Sequence, residues 1–107
     1  MRKWTVQDRY GHTIYFTKER WQHILESRPE LEPYFEQFLD TIHTGRRKQD
    51  ALLPNEYRYF KHFDELKPDN NHLVVIVIFK TSLDEYGKYC SNNFVVTGWA
   101  KFIQSKR

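Results

Sequence analysis

The feature that most constrains the fold is an apolar run at residues 73 to 79, which reads LVVIVIF. Five of these seven residues are β-branched, so the run favours a strand that is covered on both faces. A helix that crosses a bilayer needs about 20 apolar residues, and this run is far shorter. We therefore expect it to form the middle strand of a sheet, in a protein that does not span a membrane.

Two other segments alternate with the period of a β-strand. In residues 57 to 63 the alternation puts Arg58 and His62 on one face and the tyrosines on the other. Residues 94 to 103 form the last predicted strand, in which Thr97 has apolar neighbours and its hydroxyl points inward or into a cleft. Both segments are expected to join the same sheet as the apolar run.

Two amphipathic helices are predicted earlier in the chain. The first begins after Thr17, whose side chain suits an N-cap, and ends near Arg28 because Pro29 follows. The second has apolar residues at helical spacing from Leu31 onward and ends near Gly45, a candidate for the left-handed residue after a helix. The two helices are expected to pack on one face of the sheet.

The order of elements predicts an α+β domain. An N-terminal hairpin over residues 3 to 16 is followed by two helices that pack on a mainly antiparallel twisted sheet. The length suits a single domain, residues 1 to 107, without a linker. Because Cys90 is the only cysteine and no apolar leader segment is visible, we expect a reducing, cytoplasmic location.

The chain lacks the motifs on which many cofactor-dependent enzymes rely. A GxSxG elbow, a Walker loop, a dinucleotide fingerprint and an HExxH pair are absent, and no Cys or His spacing suits a metal. We therefore expect no cofactor and no metal site. The remaining His, Arg, Lys, Tyr and Thr side chains can hold a phosphate and transfer protons, which is most of what metal-free RNA cleavage requires.

The best candidate for proton transfer is His23 on the first helix. On a helical wheel it lies opposite Trp21 and Ile24, and Glu19 and Glu26 lie within about one turn of it. A flanking carboxylate can prepare a histidine to act as a general acid or base near neutral pH. The same pattern is also typical of a hydrated helix face, so both interpretations stay open.

The best candidate for binding a phosphate is Arg58. A planar guanidinium on a strand can hold two phosphate oxygens in a fixed geometry. An ion pair with a nearby carboxylate is the alternative role. His62 shares the face of Arg58 and can act as a second proton carrier, whereas Lys61 is either a phosphate contact or a solvated edge charge.

A basic triplet, Arg46, Arg47 and Lys48, follows the second helix in a segment expected to be a loop. The net charge of +3 and the pI near 9.0 permit contact with a polyanion without requiring it. The triplet is therefore either a phosphate-binding loop or solvated surface. The three remaining histidines are expected on the surface, in turns or at the ends of elements: His12, His43 and His72.

Four segments together resemble a known group of nucleases: RWQHILESRPELEPY, YRYFKHF, LVVIVIF and FVVTGWAKF. They are similar to the phage-associated branch of the barnase, EndoU, colicin and RelE-like (BECR) nuclease superfamily, whose members are small α+β toxins that cleave RNA without a metal. The resemblance covers residues 12 to 103. It implies that the chain is a single BECR-like nuclease domain.

The resemblance also implies which residues are catalytic. The histidine of the family's helix falls on His23, the arginine of its central-sheet strand on Arg58, and the hydroxyl of its last strand on Thr97. The family often has a second histidine before a Pro-Glu pair, where this chain has Arg28. Arg28 is then either a substitute phosphate ligand or a sign that activity has been lost.

The sequence therefore predicts a metal-independent endoribonuclease of toxin type, which cleaves RNA by 2′-hydroxyl transesterification. The expected partners are RNA, such as tRNA or ribosome-bound mRNA, and a neutralising antitoxin or immunity protein. The alternative is a non-catalytic nucleic-acid-binding or protein-interaction module on the same fold. The residues expected to bind RNA are Arg28, Arg46, Arg47, Lys48, Lys61 and His62.

Overall fold

The structure is a computed structural model that describes residues 2–66 and 69–104. Two α-helices pack on a mainly antiparallel sheet, so the predicted α+β class is confirmed. None of the described helices is long and apolar enough to cross a membrane. The elements are β1 (Lys3–Gln7), β2 (Thr13–Thr17), α1 (Lys18–Ser27), a 3-10 helix (Pro29–Tyr34), α2 (Phe35–Thr44), β3 (Arg46–Gln49), β4 (Glu56–His62), β5 (His72–Ile78), β6 (Thr81–Leu83), β7 (Tyr89–Ser91) and β8 (Asn93–Lys101).

Six strands form the main sheet in the order β1, β2, β8, β5, β4, β3, and β6 and β7 form a separate hairpin. All neighbours in the main sheet are antiparallel except β2 and β8. The apolar strand β5 lies between β8 and β4, so its predicted central position is confirmed. The predicted N-terminal hairpin is also confirmed as the pair β1 and β2.

The helices cover one face of the sheet, and the core lies between them. Phe38 of α2 is fully buried and sits so close to β8 that a Cβ atom at Gly98 would lie 2.4 Å from its ring. Glycine at this position therefore lets the helix approach the sheet backbone directly. Around Phe38, aromatic side chains from the N-terminal half of the chain complete the core: Trp4, Phe16, Trp21 and Phe35.

The first predicted helix has the expected boundaries. The hydroxyl oxygen of Thr17 accepts a hydrogen bond of 3.1 Å from the backbone N–H of Arg20, which confirms the N-cap. The second helix begins later than predicted. Residues from Pro29 to Tyr34 form the 3-10 helix, and α2 starts only at Phe35. Pro33 explains the difference, because proline lacks the N–H that a continuous α-helix needs.

Gly45 ends α2, but not in the left-handed conformation that the sequence predicts. Its φ of −69° is ordinary extended backbone. A Cβ atom there would lie 2.2 Å from the carbonyl oxygen of Thr41 and 2.8 Å from that of Phe60. The glycine is therefore needed for the close approach between the helix end and β4, and the expected left-handed cap is wrong.

Two segments predicted as irregular connections are in fact extended. The basic triplet is not a loop, because Arg46 to Lys48 lie in β3 and pair with β4. The connection between β5 and β8 contains the hairpin of β6 and β7, whose loop turns at Gly87 with a φ of 77°. Hydrogen bonds to a neighbouring strand make both segments extended. These bonds depend on the partner strand, so a local sequence pattern does not reveal them.

Candidate functional site

The sheet face opposite the helices carries most of the polar residues that the sequence singled out. Strand alternation sends Tyr59, Leu73, Val75 and Val77 into the core, so their neighbours along the strands point to the other side. We call this other side the open face. At one end of this face lie Glu56 of β4, Ile78 of β5 and Phe94 of β8. Its other residues are Arg46 and Lys48 of β3, Arg58, Phe60 and His62 of β4, His72, Val74 and Ile76 of β5, and Thr97, Trp99 and Lys101 of β8.

The pairing register arranges the open face in rows that run across the strands, and three adjacent rows carry its cations and histidines. Neighbours within a row lie on adjacent strands, about 5 Å apart. The first row is Lys48, Arg58, Ile76 and Thr97; the second is Arg46, Phe60, Val74 and Trp99; the third is His62, His72 and Lys101.

The apolar residues of β5 on the open face are buried by their neighbours in these rows. Val74 is 1% exposed and lies between Phe60 and Trp99, while Ile76 is 7% exposed beside Arg58. The prediction that β5 is covered on both faces is therefore right. On the open face, the cover comes from long side chains of the adjacent strands and not from the helices.

Arg58, predicted to be catalytic, and Arg28, predicted to bind RNA, meet on one indole ring. The guanidinium carbon of Arg58 lies 5.8 Å from the ring centroid of Trp99, and that of Arg28 lies 6.0 Å from it. Arg28 reaches the sheet because it caps the C-terminal end of α1. Each arginine gains a cation–π contact, so the indole orders two positive charges at one place.

Arg58 is not neutralised by a direct ion pair. Among the described residues no carboxylate oxygen lies within 4.0 Å of its side-chain nitrogens, so the alternative role expected for it is absent there. Asp50 lies near it in a shallow groove lined also by Lys48 and Glu56. Hydrogen bonds from two backbone N–H groups, and then the charge of Arg58, lower the pKa of Asp50.

Thr97 stands in the same row as Arg58, two strands away. Its side chain is half-buried, and Ile76 separates it from Arg58. The spacing of strands puts the two about 10 Å apart across the sheet. The structure thus places two of the three residues predicted to be catalytic in one row of the open face, but not in contact.

His23, the third of them, lies elsewhere. Its side chain is 70% exposed on α1, and its Nδ1 atom lies 3.9 Å from a carboxylate oxygen of Glu26. It lines a wide groove with Thr17, Glu19 and Arg20. Among the described residues, this groove includes neither of the two predicted catalytic residues on the sheet.

Lys61 faces the helices, where its charge is already paired. Its Nζ atom donates to a carboxylate oxygen of Asp40 at 2.5 Å and to the hydroxyl of Thr44 at 2.6 Å. Partial burial alone raises the pKa of Asp40, but the hydrogen bonds from Lys61 and Thr44 outweigh it and hold the pKa below 3.8. The charge of Lys61 is therefore balanced by Asp40, although Lys61 also lines a groove with Arg46, His62 and His72.

Arg47 also points away from the open face, into a group that sequence reasoning missed. Its guanidinium donates to the buried carboxylate of Asp8 at 3.2 Å and to the hydroxyl of Tyr59 at 3.3 Å, and it lies 3.1 Å from the ring of His12. We call these four residues the Asp8 cluster. Because 39 residues separate Asp8 from Arg47, no local pattern in the sequence could reveal the contact.

The Asp8 cluster joins the turn after β1 to the edge of the sheet. One carboxylate oxygen of Asp8 accepts from the backbone N–H groups of Tyr10 and His12, and the other accepts from Arg47 and the Tyr59 hydroxyl. Burial, and then the hydrogen bond to Asp8, raise the pKa of Tyr59 above its usual value. The satisfied carboxylate and the buried tyrosine indicate a structural role.

His62 and His72 form a pair at the third row of the open face. Their ring centroids lie 5.2 Å apart at an interplanar angle of 74°. His62 is exposed and its Nε2 atom lies 3.5 Å from Asp64. His72, expected to be an ordinary surface residue, is half-buried. Burial, followed by the charges of His62 and Lys101, lowers the pKa of His72 below 6.5.

Comparisons with known proteins assign the chain to no group. No protein-family model matches it, and neither a curated protein nor a solved structure does. The resemblance to BECR nucleases therefore stays a prediction from short sequence segments. Within the described residues, no group of three or more His, Cys, Asp or Glu side chains could hold a metal ion.

Proposed function

We propose that this protein binds single-stranded RNA on its open face and cleaves it as a metal-independent endoribonuclease of toxin type. The observation that carries the proposal is the concentration of cations and aromatic rings in three adjacent rows. Arg46, Lys48 and Arg58 supply positive charge, while Phe60 and Trp99 supply ring surfaces half-exposed to solvent. A sheet with this composition suits RNA, whose phosphates pair with cations and whose bases stack on rings.

A single-stranded ligand fits this surface better than a duplex. The rings of the second row lie on the sheet itself, and only unpaired bases can leave their stack to contact them. Arg28 and Arg58 flank Trp99 and can bind phosphates on either side of a stacked base. An unpaired region of tRNA and ribosome-bound mRNA are both substrates of this class.

Arg58 is the residue we expect to contribute most to phosphate binding. Its guanidinium is exposed, rests on Trp99 and has no carboxylate within 4.0 Å among the described residues. A planar donor held in this way can bind two phosphate oxygens with little loss of side-chain freedom. In the same row, the hydroxyl of Thr97 can donate to a phosphate or to a ribose hydroxyl.

The test measures binding and cleavage together. A short labelled single-stranded RNA is titrated with the parent, Arg58→Ala and Arg20→Ala at several salt concentrations, with EDTA present throughout. Arg20 lies on α1 beside the His23 groove, so its replacement removes one guanidinium away from the open face. We expect Arg58→Ala to weaken binding about tenfold and Arg20→Ala to change it less than about twofold.

Two results would overturn the proposal. Equal effects of the two arginine substitutions would mean that the open face is not the binding surface. Failure of the parent to bind at low salt would remove RNA as the ligand, because nucleic-acid binding strengthens as salt falls. Cleavage of total RNA by the parent in EDTA is the expected sign of the nuclease activity.

A different surface favours the second candidate, a protein-interaction module. The hairpin of β6 and β7 carries three large side chains that are mostly exposed: Leu83 at 60%, Tyr86 at 80% and Tyr89 at 79%. Exposed apolar and aromatic groups that lie close together are typical of protein contacts. An antitoxin or immunity protein is the partner expected for a toxin. A chain that binds no RNA at low salt would favour this candidate alone.

A further inference from the structure

We propose that His72 and His62 are the proton-transfer pair of the cleavage reaction, with His72 as the base and His62 as the acid. This inference rests on the proposed ribonuclease function and assigns its reacting groups. The two imidazoles are cross-strand partners on β5 and β4, in the third row of the open face. Strand geometry puts this row about 13 Å from Arg58, so Arg58 would bind a different phosphate of the same RNA.

The pair lies at an open groove suited to an anion. Besides the two imidazoles, Arg46 of β3, Lys61 of β4 and Arg9 of the turn between β1 and β2 supply charge to this groove, whose volume is about 310 Å³. Phe60, Thr44 and Gly45 complete its lining. Lys101 of β8 is the cross-strand neighbour of His72. A phosphodiester in this groove would meet two proton carriers and fixed positive charges, the groups that metal-free cleavage requires.

Hydrogen bonds determine which nitrogen of His72 carries the proton. The side-chain nitrogen of Asn71 donates to the carbonyl of Ile103 at 2.9 Å, and its side-chain oxygen accepts from the N–H of Ile103 at 2.8 Å. This double contact fixes the orientation of the amide. The same oxygen lies 2.8 Å from Nδ1 of His72, which must therefore be the N–H donor. Nε2 is left with a free lone pair, as a base requires.

The surroundings of His72 favour the neutral form of its ring. Burial is the largest cause, and His62 and Lys101 add positive charge, so the pKa of His72 lies below 6.5. Arg46, Lys61 and Arg9 add further positive charge to the groove that His72 lines. The one carboxylate beside the pair among the described residues is Asp64, which faces His62.

His62 has the surroundings of the acid. Its Nε2 atom lies 3.5 Å from the carboxylate of Asp64, and this ion pair exists only when the imidazole is protonated. Its second ring nitrogen is then free to donate a proton. The pair thus offers a phosphodiester one imidazole whose Nε2 can accept a proton and one imidazole held beside a carboxylate.

The cleavage step follows from these states. Nε2 of His72 accepts the proton of a ribose 2′-hydroxyl as the 2′-oxygen bonds to the adjacent phosphorus. The bond from phosphorus to the 5′-oxygen breaks, and that oxygen takes a proton from His62. The products are a 2′,3′-cyclic phosphate and a 5′-hydroxyl. His72 then carries a proton and His62 lacks one, and exchange with water restores both. Lys101 and Arg46 offset the charge of the pentacovalent phosphorus.

The experiment separates catalysis from binding in folded protein. Cleavage of a short labelled RNA in EDTA is followed from about pH 5 to 8 for the parent, His72→Gln, His62→Gln and His43→Gln, with folding checked by circular dichroism. His43 is an exposed histidine at the end of α2, bonded to the carbonyl of Gln7, and serves as the matched control. Binding is measured with the same RNA carrying 2′-deoxyribose throughout.

We expect both pair substitutions to lower kcat at least about 100-fold while the affinity for the deoxy analogue changes less than about threefold. His72→Gln should remove the acidic limb of the pH profile, and His62→Gln the alkaline limb. The control should cleave like the parent. Nitrogen NMR of the parent should show His72 as the Nδ1–H tautomer.

Three outcomes would count against the inference, each in a distinct way. If His72→Gln and His62→Gln cleave like the parent, the pair is not catalytic and the ribonuclease proposal still stands. If the parent binds RNA but never cleaves it, the pair and the nuclease activity fall while RNA binding survives. If the parent neither binds nor cleaves, the proposed function itself is wrong.

Discussion

Arg47 and Arg58 lie on neighbouring strands, yet their surroundings are opposite. Arg47 points to the helix side, where it is 17% exposed and bound to the fully buried carboxylate of Asp8. Arg58 points to the open face, where it rests on Trp99 and is exposed. The side of the sheet on which an arginine lies therefore decides whether its charge stabilises the fold or remains available to a ligand.

The largest expected effect is the loss of stability when Arg47 is replaced. Arg47→Ala should lower the free energy of unfolding by about 3 kcal/mol, because it leaves the buried charge of Asp8 without its cation. Arg58→Ala should lower it by less than about 1 kcal/mol, since it leaves no buried charge unpaired and removes only part of the cover over Ile76. Urea unfolding of the two variants measures both values. Equal losses would contradict the division of roles between the two faces.

A smaller effect is expected from Tyr59→Phe, which removes one donor from the Asp8 cluster and should cost about 1 to 2 kcal/mol. Burial, and then the bond to Asp8, raise the pKa of Tyr59 above 10.0. As pH rises above 10.0, the unfolded chain loses the phenolic proton while the folded protein keeps it, so stability falls with rising pH.

Unfolding measured across alkaline pH should therefore show this loss in the parent and a smaller loss in Tyr59→Phe. Tyr10→Phe is the matched control, because Tyr10 is 43% exposed and contacts Arg47 only through its ring. If the free energy of unfolding falls equally in the parent and in Tyr59→Phe at alkaline pH, the hydroxyl of Tyr59 is not hydrogen-bonded to Asp8.

The smallest expected effects concern two lysines, Lys61 and Lys48, which lie on opposite faces of the sheet. Lys61→Ala should cost about 0.5 kcal/mol, because its ion pair with Asp40 is partly exposed on both sides. Because Asp40 already pairs its charge, the substitution should lower the slope of log affinity against log salt less than Lys48→Ala does. Lys48→Ala should instead reduce the slope of log affinity against log salt by roughly 0.7 to 1, since the first row then loses one phosphate contact. A larger change of slope for Lys61→Ala than for Lys48→Ala would indicate that RNA binds on the helix side of the sheet.

Local patterns in the sequence predicted much of this arrangement. The alternation of residues 57 to 63 placed Arg58 and His62 on a common face, and the apolar run identified the central strand. The N-cap at Thr17 was equally clear, because it depends on residues three positions apart. These features share one property, which is that neighbours along the chain determine them.

The parts that sequence reasoning missed depend on distant contacts. The double contact of Asn71 with Ile103, which orients His72, spans 32 positions, and the bond from Tyr59 to Asp8 spans 51. The opposite orientations of Arg47 and Arg58 were also hidden, because the basic triplet has no strand pattern of its own. Pairing with β4 imposes that pattern.

Periodicity, capping and the turn-forming residues of this chain thus set which segments become strands and helices, and which side chains share a face of each strand. Which strands become neighbours depends on long-range pairing, and that pairing brings Thr97 into the row of Arg58 and His72 beside His62. The reason is physical: side-chain direction follows from backbone geometry within a few residues, whereas register is chosen by the packing of the whole sheet around α2.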